Sequence, residues 1–414
     1  MRLLHVTHQY SPALGGSEKY ITDLSEELAR RGHQVDVFTT RSQDYRTWRS
    51  ELPPFECVNG VNIYRFPSLE RGPRTWRILS YGLSHYRRTR ARRYEPFILW
   101  GNGPLSPLLF LNLLWKGGRY DLVHLNLLHY AHTAYAYWAA KARGLLVVIT
   151  PHVHSEQDET YSAGYLQAIL RGSDLIFADT QAEKRFLESL GIVSQRIVVG
   201  GVGVKLEAFP SLDKEACRRK WRLPKEAFVL LFLGRKTEYK GLAWLLQAFL
   251  ALRTRHEELY WLVIGPETAY SQRLFAPYGE LPGLLQRGAV SEEEKVEALN
   301  ACDLLAMPSV GEAFGIVYLE AWASGKPVIG ARAGVIPTII THGQDGVLVS
   351  PGDVGELTRQ IERMIGDPAW RHQLGLKGYQ KVKRRYTVSR IADIVEGACA
   401  RLLRQRSNLR LKGS

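Results

Sequence analysis

The sequence of 414 residues predicts an α/β protein built from two doubly wound parallel sheets. Two strand–helix–strand beginnings, about 230 residues apart, carry this prediction, together with the short apolar runs that follow each of them. The chain is also long enough for two or three domains, each with a core of its own. We therefore expect two α/β domains rather than one extended sheet.

The first beginning is the apolar run RLLHVT, which is followed by a loop with Gly15 and Gly16 and by the helical pattern YITDLSEELARR. Gly32 stands where helices commonly end, and QVDVFTT supplies the next strand. Further strands of this domain are expected at DLVHLNLL, LLVVITPHVH, DLIFADT and RIVVGGVGV. The pattern Thr180-x-x-Glu183 predicts a helix start after the third of these runs.

The second beginning has the strand FVLLFLG, the loop RKTEYKG, the helix LAWLLQAFLALRTR and the strand YWLVIG. Later strands are predicted at LLAMPSV, PVIGA and GVLVS, and helices at SEEEKVEALNAC, FGIVYLEAWAS and VGELTRQIERMIG. We place the hinge within residues 209–220. The predicted domains are therefore 1–208, joined by a C-terminal helix at about 389–407, and 209–388.

Composition narrows the range of partners and compartments. There are 55 Lys and Arg against 41 Asp and Glu, so the chain favours an anionic partner. Its four cysteines are scattered, which predicts neither a zinc ribbon nor a disulfide framework and suits reduced thiols in the cytosol. No signal peptide is evident at the start. Glycine, proline and asparagine interrupt the most apolar segment, PFILWGNGPLSPLLFLNLLW, which we interpret as buried or interfacial rather than spanning.

Two acidic residues in GEAFGIVYLEA, Glu312 and Glu320, flank an apolar stretch in which an unpaired carboxylate would be costly. If a helix begins near Phe314 and Gly315, the amides of Gly315, Ile316 and Val317 face a ligand as an anion site. The carboxylates would then accept hydrogen bonds from hydroxyl groups on either side of that anion. A nucleotide sugar, with ribose, diphosphate and hexose in a row, has this form.

Arg235 and Lys240 follow the strand that opens the second domain, at the carboxyl edge where such sheets bind ligands. Two cations at this edge would neutralise a diphosphate, and increasingly so as it departs. Taken alone they could equally be solvated loop cations. Beside the two glutamates, the diphosphate interpretation is favoured.

These residues resemble retaining glycosyltransferase family 4, a large group with the GT-B fold. In the second half the resemblance is carried by GRKTEYKG, RGAVSEEEKVEALNACDLLAMPS, GEAFGIVYLEAWASGKPVIG and HGQDGVLVSPGD. In the first half it is carried by YSPALGGSEKYITDLSEELARRGHQVDVFT, YDLVHLNLL, VITPHVH and GGVGVKLEAFP. Two glutamates alone form a weak pattern, but the surrounding residues make it specific, and the resemblance covers nearly the whole chain.

The resemblance implies a role for each matching residue. Glu312 would contact the donor sugar and Glu320 the ribose, while Phe314, Gly315 and the following amides would line the sugar and phosphate pocket. Arg235 and Lys240 would bind the diphosphate, and Gly15 and Gly16 would let the backbone come close to the donor and the acceptor. His152 would lie near the transferring sugar, and Val290 would pack against the base. Three positions depart from the family pattern, namely Lys205, Val335 and Thr338.

The implied fold is GT-B, with two Rossmann-like domains facing across a cleft and a C-terminal helix returning to the N-terminal, acceptor-binding domain. The implied reaction is retaining transfer of a hexose from a UDP-, GDP- or ADP-sugar to an acceptor hydroxyl, on a glycan or a lipid-linked glycan. No cofactor is expected. The chain has no Asp-x-Asp pair, which argues against a metal-dependent scheme, so arginine, lysine and helix dipole would replace the metal.

Several alternatives stay open at this point. The arginine-rich segment 71–93 fits a solvated helix face or an anionic membrane surface better than nucleic acid, for which no recognition motif is evident. His129, His132, His152 and His154 form a weak candidate for zinc, because no cysteine lies nearby. A sugar epimerase and a non-catalytic sugar-nucleotide binder are the alternative functions. A cytoplasmic location, peripheral at the cytosolic membrane face, is expected.

Overall fold

The structure is a computed structural model that describes residues 1–13, 15–153, 161 and 163–412, with side chains described up to residue 408. It divides into two compact units, Met1–Val202 with Val388–Ser414, and Gly203–Thr387. This division comes six residues before the expected boundary at 208/209. The reason is that Val204 pairs with Thr387 at the far end of unit 2, and its amide donates to Tyr386 O at 2.8 Å.

Unit 1 contains an eight-stranded sheet in the order β3-β4-β2-β1-β5-β6-β7-β8, in which only β3 runs antiparallel to its neighbour. Its central strands are buried throughout, as expected for apolar runs in a parallel sheet covered on both faces. The strands are β1 Arg2–Val6, β2 Gln34–Thr40, β3 Phe55–Val58, β4 Val61–Phe66, β5 Leu122–Asn126, β6 Leu146–Thr150, β7 Leu175–Ala178 and β8 Ile197–Val199.

The helices of unit 1 that precede the crossing to unit 2 are α1 Gly16–Arg30, α2 Pro73–Thr89, α3 Glu95–Asn102, α4 Pro107–Lys116, α5 Ala131–Ala142, α6 Gly164–Gly172 and α7 Gln181–Ser189. The predicted start of α7 is confirmed, because the Thr180 hydroxyl accepts from the amide of Glu183 at 3.0 Å. Within the described residues no single helix meets the length and hydropathy of a membrane span. Two helical segments taken together, 92–102 and 107–119, do meet it, but by length and composition only, and they are bent by 96° relative to each other.

Unit 2 contains a six-stranded parallel sheet in the order β11-β10-β9-β12-β13-β14. The strands are β9 Phe228–Leu233, β10 Leu259–Ile264, β11 Leu284–Arg287, β12 Leu304–Met307, β13 Val328–Ala331 and β14 Val347–Val349. All except β11 were predicted from apolar runs. β11 lies at the sheet edge and is only half-buried, so its sequence LLQR carries little periodicity.

The helices of unit 2 are α8 Lys214–Lys220, α9 Leu242–Arg253, α10 Ala269–Phe275, α11 Glu292–Ala301, α12 Ile316–Ala323, α13 Ile336–Ile339, α14 Val354–Gly366 and α15 Pro368–Arg385. The segment 209–220, in which we expected the hinge, contains α8, and α8 is anchored inside unit 2. Arg218 on α8 pairs with the buried carboxylate of Asp303 at 2.7 Å.

The C-terminal helix, α16 Val388–Lys412, packs on α1 and so returns to unit 1 as expected. Arg31, at the end of α1, donates to Asp393 at 2.8 Å and to Glu396 at 2.9 Å. Ile391 and Val395 are buried on the inner side of the helix. Apolar burial and this ion-paired edge therefore fix the last helix to the first.

Candidate functional site

The strand order of unit 2 locates its binding edge. β9 lies between β10 and β12, so the chain leaves β9 toward one side of the sheet and later returns on the other. At such a switch point the loops after the two central strands diverge and leave a crevice at their carboxyl ends. Arg235 and Lys240 follow β9, and Glu312 and Gly315 follow β12. The structure thus brings these four predicted residues to one place.

The loop after β9 is held against the loop after β12 by backbone contacts. The amide of Val310 donates to Tyr239 O at 2.8 Å. Gly241 has φ 77°, and a Cβ there would lie 2.5 Å from Pro308 O, so only glycine allows the two loops to approach this closely. Arg235, earlier in the loop, is exposed, whereas Lys240 is half-buried.

Lys240 and Glu312 form an ion pair between these two loops. Their side chains are only 13% and 10% exposed, so the pair is screened little by solvent. The lysine orients the carboxylate and balances its charge. Lys240 is therefore the partner of Glu312, one of the two glutamates for which the sequence indicated no partner.

The start of α12 forms the other side of this site. Gly315 has φ 90°, and a Cβ there would lie 2.7 Å from the ring of Tyr318, so the left-handed turn before the helix requires glycine. Ile316 and Val317 begin the helix, where amides lack partners in a preceding turn. The ring of Phe314 is buried and packs against Tyr386 at 5.7 Å between centroids, which leaves its backbone, not its ring, at the site.

Glu320 lies one turn into α12, is buried, and pairs with Lys295 on α11 at 2.8 Å. Burial alone would lower the pKa of Lys295, but Glu320 and Glu292 outweigh it and raise that pKa above its usual value. A capping box between Ser291 and Glu294 starts α11 and fixes which of its faces points inward.

Lys295 was not predicted from the sequence. The sequence indicated only that a buried Glu320 would need a cation as a partner. Sequence pattern alone cannot say which residue supplies that cation. Val290 lies just before α11 and is half-buried. It follows β11, so it stands at the same carboxyl edge as the other predicted donor-binding residues.

A second unpredicted contact fixes the loop after β9 to the loop after β10. The side chain of Lys236 is fully buried and pairs with Glu267. Glu267 also accepts from the Ser271 hydroxyl at 2.8 Å, and Thr268 donates to Lys236 O at 2.6 Å. Arg235 is therefore attached to a loop that is fixed on both sides.

In unit 1 the corresponding switch point lies between β1 and β5, where Gly15 ends the loop after β1 and Gly16 begins α1. Gly15 precedes α1, and a Cβ there would lie 2.1 Å from a carboxylate oxygen of Glu18. Glu18 folds back to His8 Nε2 at 2.9 Å. Burial by itself raises the pKa of Glu18, but the bonds from His8 and Ser17 outweigh it and lower that pKa.

His152 follows β6 at the same edge of unit 1. Its ring is buried between Asp179, at 2.7 Å from Nδ1, and the side-chain oxygen of Asn126, at 2.9 Å from Nε2. Its backbone has φ 50°, which is uncommon for a residue other than glycine and marks a constrained position. Burial first, and then Asp179, raise the pKa of the neighbouring Glu183 well above its usual value.

The zinc interpretation gains no support from the described residues, in which no group of three His, Cys, Asp or Glu side chains is arranged to hold a metal. His152 is occupied by Asp179 and Asn126, and His132 Nε2 donates to Asn126 O at 3.0 Å. His154, the other member of the His-x-His pair, lies outside the described residues.

Two family models match the chain. The model described as "Glycosyltransferase Family 4" matches residues 14–208, and the model described as "Glycosyl transferases group 1" matches residues 213–381. Together they cover both units, and the second contains the loops that carry Arg235, Lys240, Glu312 and Glu320.

Curated relatives and solved structures agree with these matches. A D-inositol 3-phosphate glycosyltransferase of Nocardiopsis dassonvillei is 30% identical, over 87% of this chain and 84% of its own length. One with the same name from Streptosporangium roseum is 28% identical, over 94% and 89%. The Anabaena protein HepE, crystallised with UDP-glucose, superposes with a TM-score of 0.72 at 18% identity, over 97% and 100% of the chains, and shows the shared GT-B fold.

Proposed function

Because the chain belongs to glycosyltransferase family 4, we propose that it moves a hexose from a nucleotide-diphosphate sugar to an acceptor hydroxyl and retains the anomeric configuration. The observation that carries this proposal is the carboxyl edge of unit 2. There two cations, a helix N-terminus and two ion-paired carboxylates meet at one switch point. An epimerase or a non-catalytic binder is not favoured by the family or the relatives.

The donor's diphosphate is assigned to Arg235, Lys240 and the first amides of α12. A helix N-terminus offers oriented N–H donors and a partial positive charge to an anion. The cations add charge-assisted hydrogen bonds, which are stronger than neutral ones. The crystallised UDP-glucose complex of the Anabaena protein supports a nucleotide-sugar donor. The nucleotides to be compared are UDP, GDP and ADP.

The sugar rings are assigned to the carboxylates on either side. Glu312 would accept from the hydroxyls of the transferred hexose while Lys240 remains shared between it and the diphosphate. Glu320, held by Lys295, would accept from the ribose, and Val290 would pack against the base. Carboxylates that are already oriented by lysines lose little side-chain freedom when the sugar binds.

In the proposed reaction the bond between the anomeric carbon and the phosphate oxygen lengthens, and its electron pair moves to the leaving diphosphate. Arg235, Lys240 and the α12 amides stabilise that growing charge from fixed positions. The acceptor hydroxyl attacks from the face that the diphosphate leaves, and a phosphate oxygen takes its proton. The new glycosidic bond thus has the configuration of the bond that breaks.

We assign the acceptor to unit 1, where Glu18 and His152 stand near the end of the sheet among hydrogen-bonding side chains. His152 would approach the transferring sugar in a ring orientation fixed by Asp179 and Asn126. A glycan or lipid-linked glycan is the proposed acceptor, with the enzyme in the cytoplasm or at the cytosolic membrane face. The arginines of segment 71–93 support the membrane location.

Transfer is proposed to need no divalent metal, since fixed cations stand where a metal would otherwise neutralise the diphosphate. Activity should therefore persist in EDTA. A strict requirement for Mn²⁺ or Mg²⁺ would contradict this part of the proposal.

The experiment is a comparison of UDP-, GDP- and ADP-sugars by thermal shift, followed by transfer assays with the donor that stabilises the protein most. Arg235→Ala, Lys240→Ala and Glu312→Ala should each lower transfer at least about tenfold and leave the fold intact. Lys225→Ala is the matched control, because this exposed lysine precedes β9 at the amino end of the same strand. Near-wild-type turnover of all three site variants would contradict the site.

A further inference from the structure

Helix α4 is apolar on the side that faces solvent as well as on the side that faces the core. Leu109 and Leu113 are fully buried, as one face of a surface helix should be. Leu108, Leu111 and Trp115, on another face, are 49%, 52% and 86% exposed. A helix that is apolar on two faces is normally covered on both. We therefore expect an apolar partner to cover the outer face of α4.

The two helices that precede α4 in the chain, α2 and α3, also expose apolar side chains. Eight of the sixteen large apolar side chains that are exposed in the described chain lie between residues 76 and 115, on α2, α3 and α4. They are Trp76, Ile78, Tyr81, Phe97, Trp100, Leu108, Leu111 and Trp115. α2 and α3 pack closely, since a Cβ on Gly101 would lie 2.6 Å from Leu79, and the rings of Tyr81 and Phe97 are 5.4 Å apart. These aromatic residues therefore stand on a rigid base.

The exposed charged side chains of this segment, residues 71–119, have one sign. Segment 74–93 exposes seven arginines, Arg74, Arg77, Arg87, Arg88, Arg90, Arg92 and Arg93, and Lys116 follows on α4. From residue 71 to residue 119 the only acidic residue is Glu95. Glu95 is buried and accepts from the amides of Gly164 and Tyr165 at 2.7 and 3.1 Å, so it does not offset the exposed arginines.

We propose that α2, α3 and α4 form a docking surface for an anionic lipid bilayer. Trp100, Leu111 and Trp115 would enter the boundary between headgroups and acyl chains, where tryptophan is favoured. The arginines would bind headgroup phosphates. The proposal rests on the membrane location proposed above but not on the transfer chemistry.

A second copy of the chain fits this surface less well than a bilayer does. In a symmetric dimer the same patch would face itself, and the exposed arginines of the two copies would be brought together. Like charges placed opposite each other oppose association, whereas an anionic surface complements them.

Flotation with phosphatidylcholine vesicles, with and without phosphatidylglycerol, tests the docking surface. The wild-type chain should bind the anionic vesicles at least about tenfold better than the neutral ones, and less well as salt rises. The double variant Leu111→Ser/Trp115→Ser and the double variant Arg74→Gln/Arg77→Gln should each lower that binding about tenfold. All of these side chains are exposed, so each variant should keep the wild-type melting temperature and circular dichroism.

The matched controls are Trp138→Ser, an exposed tryptophan on α5, and Arg401→Gln/Arg404→Gln, exposed arginines on α16. Both should bind vesicles as the wild type does. Equal binding by the α4 variant and the wild type would overturn the proposal. So would a wild-type dimer in sedimentation that Leu111→Ser/Trp115→Ser converts to monomer without loss of vesicle binding. Transfer to a water-soluble acceptor, measured without vesicles, should be unchanged in both docking variants, which separates this proposal from the reaction.

Discussion

The carboxyl edges of the two sheets are built on the same rule but carry different chemistry. In unit 2 each of the two carboxylates that we propose to bind the donor, Glu312 and Glu320, is paired with a lysine from a neighbouring loop or helix. In unit 1 the carboxylates of Glu18 and Asp179 are instead paired with histidines, His8 and His152. The side chains of all four pairs are largely shielded from solvent, so their electrostatic interactions are screened little.

This difference matches what each edge is proposed to bind. An ammonium group keeps its full charge at neutral pH and can be shared with an arriving diphosphate, so unit 2 suits an anionic donor. The ring nitrogens of a histidine can donate or accept a hydrogen bond, so unit 1 suits neutral hydroxyls. The same fold thus supplies a charged site and a hydrogen-bonding site.

The largest effect is expected at the pair that joins the two loops of unit 2. Lys240→Met should lower transfer about 10²- to 10³-fold, as removal of one fixed donor to a developing charge typically does. Because Glu312 acts with Lys240, the double variant Lys240→Met/Glu312→Gln should be no slower than the slower single variant. Steady-state kinetics with a saturating acceptor measure this. Fully additive losses would show that the two side chains act separately.

A large loss of stability is expected at the buried pair behind that site. Lys295→Met leaves Glu320 buried without its cation and should cost about 3 kcal/mol of unfolding free energy. Lys141→Met, which breaks the more exposed pair with Asp174, should cost less than about 1 kcal/mol. Urea unfolding compares the two. Adding Glu320→Gln should restore part of the stability of Lys295→Met, and no restoration would argue against a stranded carboxylate.

Substitutions of the two glycines at the starts of α12 and α1 should differ in how far they lower the melting temperature, and this difference is smaller than the effects above. Gly315→Ala places a Cβ against the Tyr318 ring in a left-handed conformation, which costs about 1–2 kcal/mol and lowers the melting temperature. Gly15→Ala meets only the end of the Glu18 side chain, on extended backbone, and should leave the melting temperature within about 2 °C. Both variants should lose transfer activity. A larger melting shift for Gly15→Ala would reverse the comparison.

The smallest effect concerns the pH dependence of the Glu18–His8 pair. The folded pKa of Glu18 lies below its usual value of 4.5, so its stabilisation is present above that value and is lost as the pH falls. Glu18→Gln should lower the melting temperature at pH 7 by about 2–4 °C, equivalent to about 1 kcal/mol. The gap from wild type should narrow at pH 4 and below. A gap that does not change with pH would exclude an ionised Glu18 as its cause.

The periodic parts of the fold were predictable, because buried parallel strands and amphipathic helices leave strong patterns. Every strand of unit 2 except the half-buried β11 was located from its apolar run. The hairpin β3–β4 was missed; β3 is short and mostly exposed, and β4 alternates buried and half-buried residues. The segment expected to contain the hinge holds α8, where Arg218 forms a tertiary ion pair that no local pattern shows.

The site was predictable where loop position alone decides which residues meet. Arg235, Lys240, Glu312 and Gly315 follow two central strands, and the strand order then brings them together. Lys295 and Lys236 could not be found in this way. Their partners come from other elements of the sheet or helix layer, and lysine is usually a surface residue with no sign of its burial in sequence.

A crystal structure of the chain with UDP or GDP tests the central claim most directly. The diphosphate should lie within hydrogen-bond distance of Arg235, Lys240 and the amides of Gly315, Ile316 and Val317, with Glu320 reaching the ribose hydroxyls. A diphosphate bound away from the carboxyl ends of β9 and β12 would contradict the assignment of the donor to this edge.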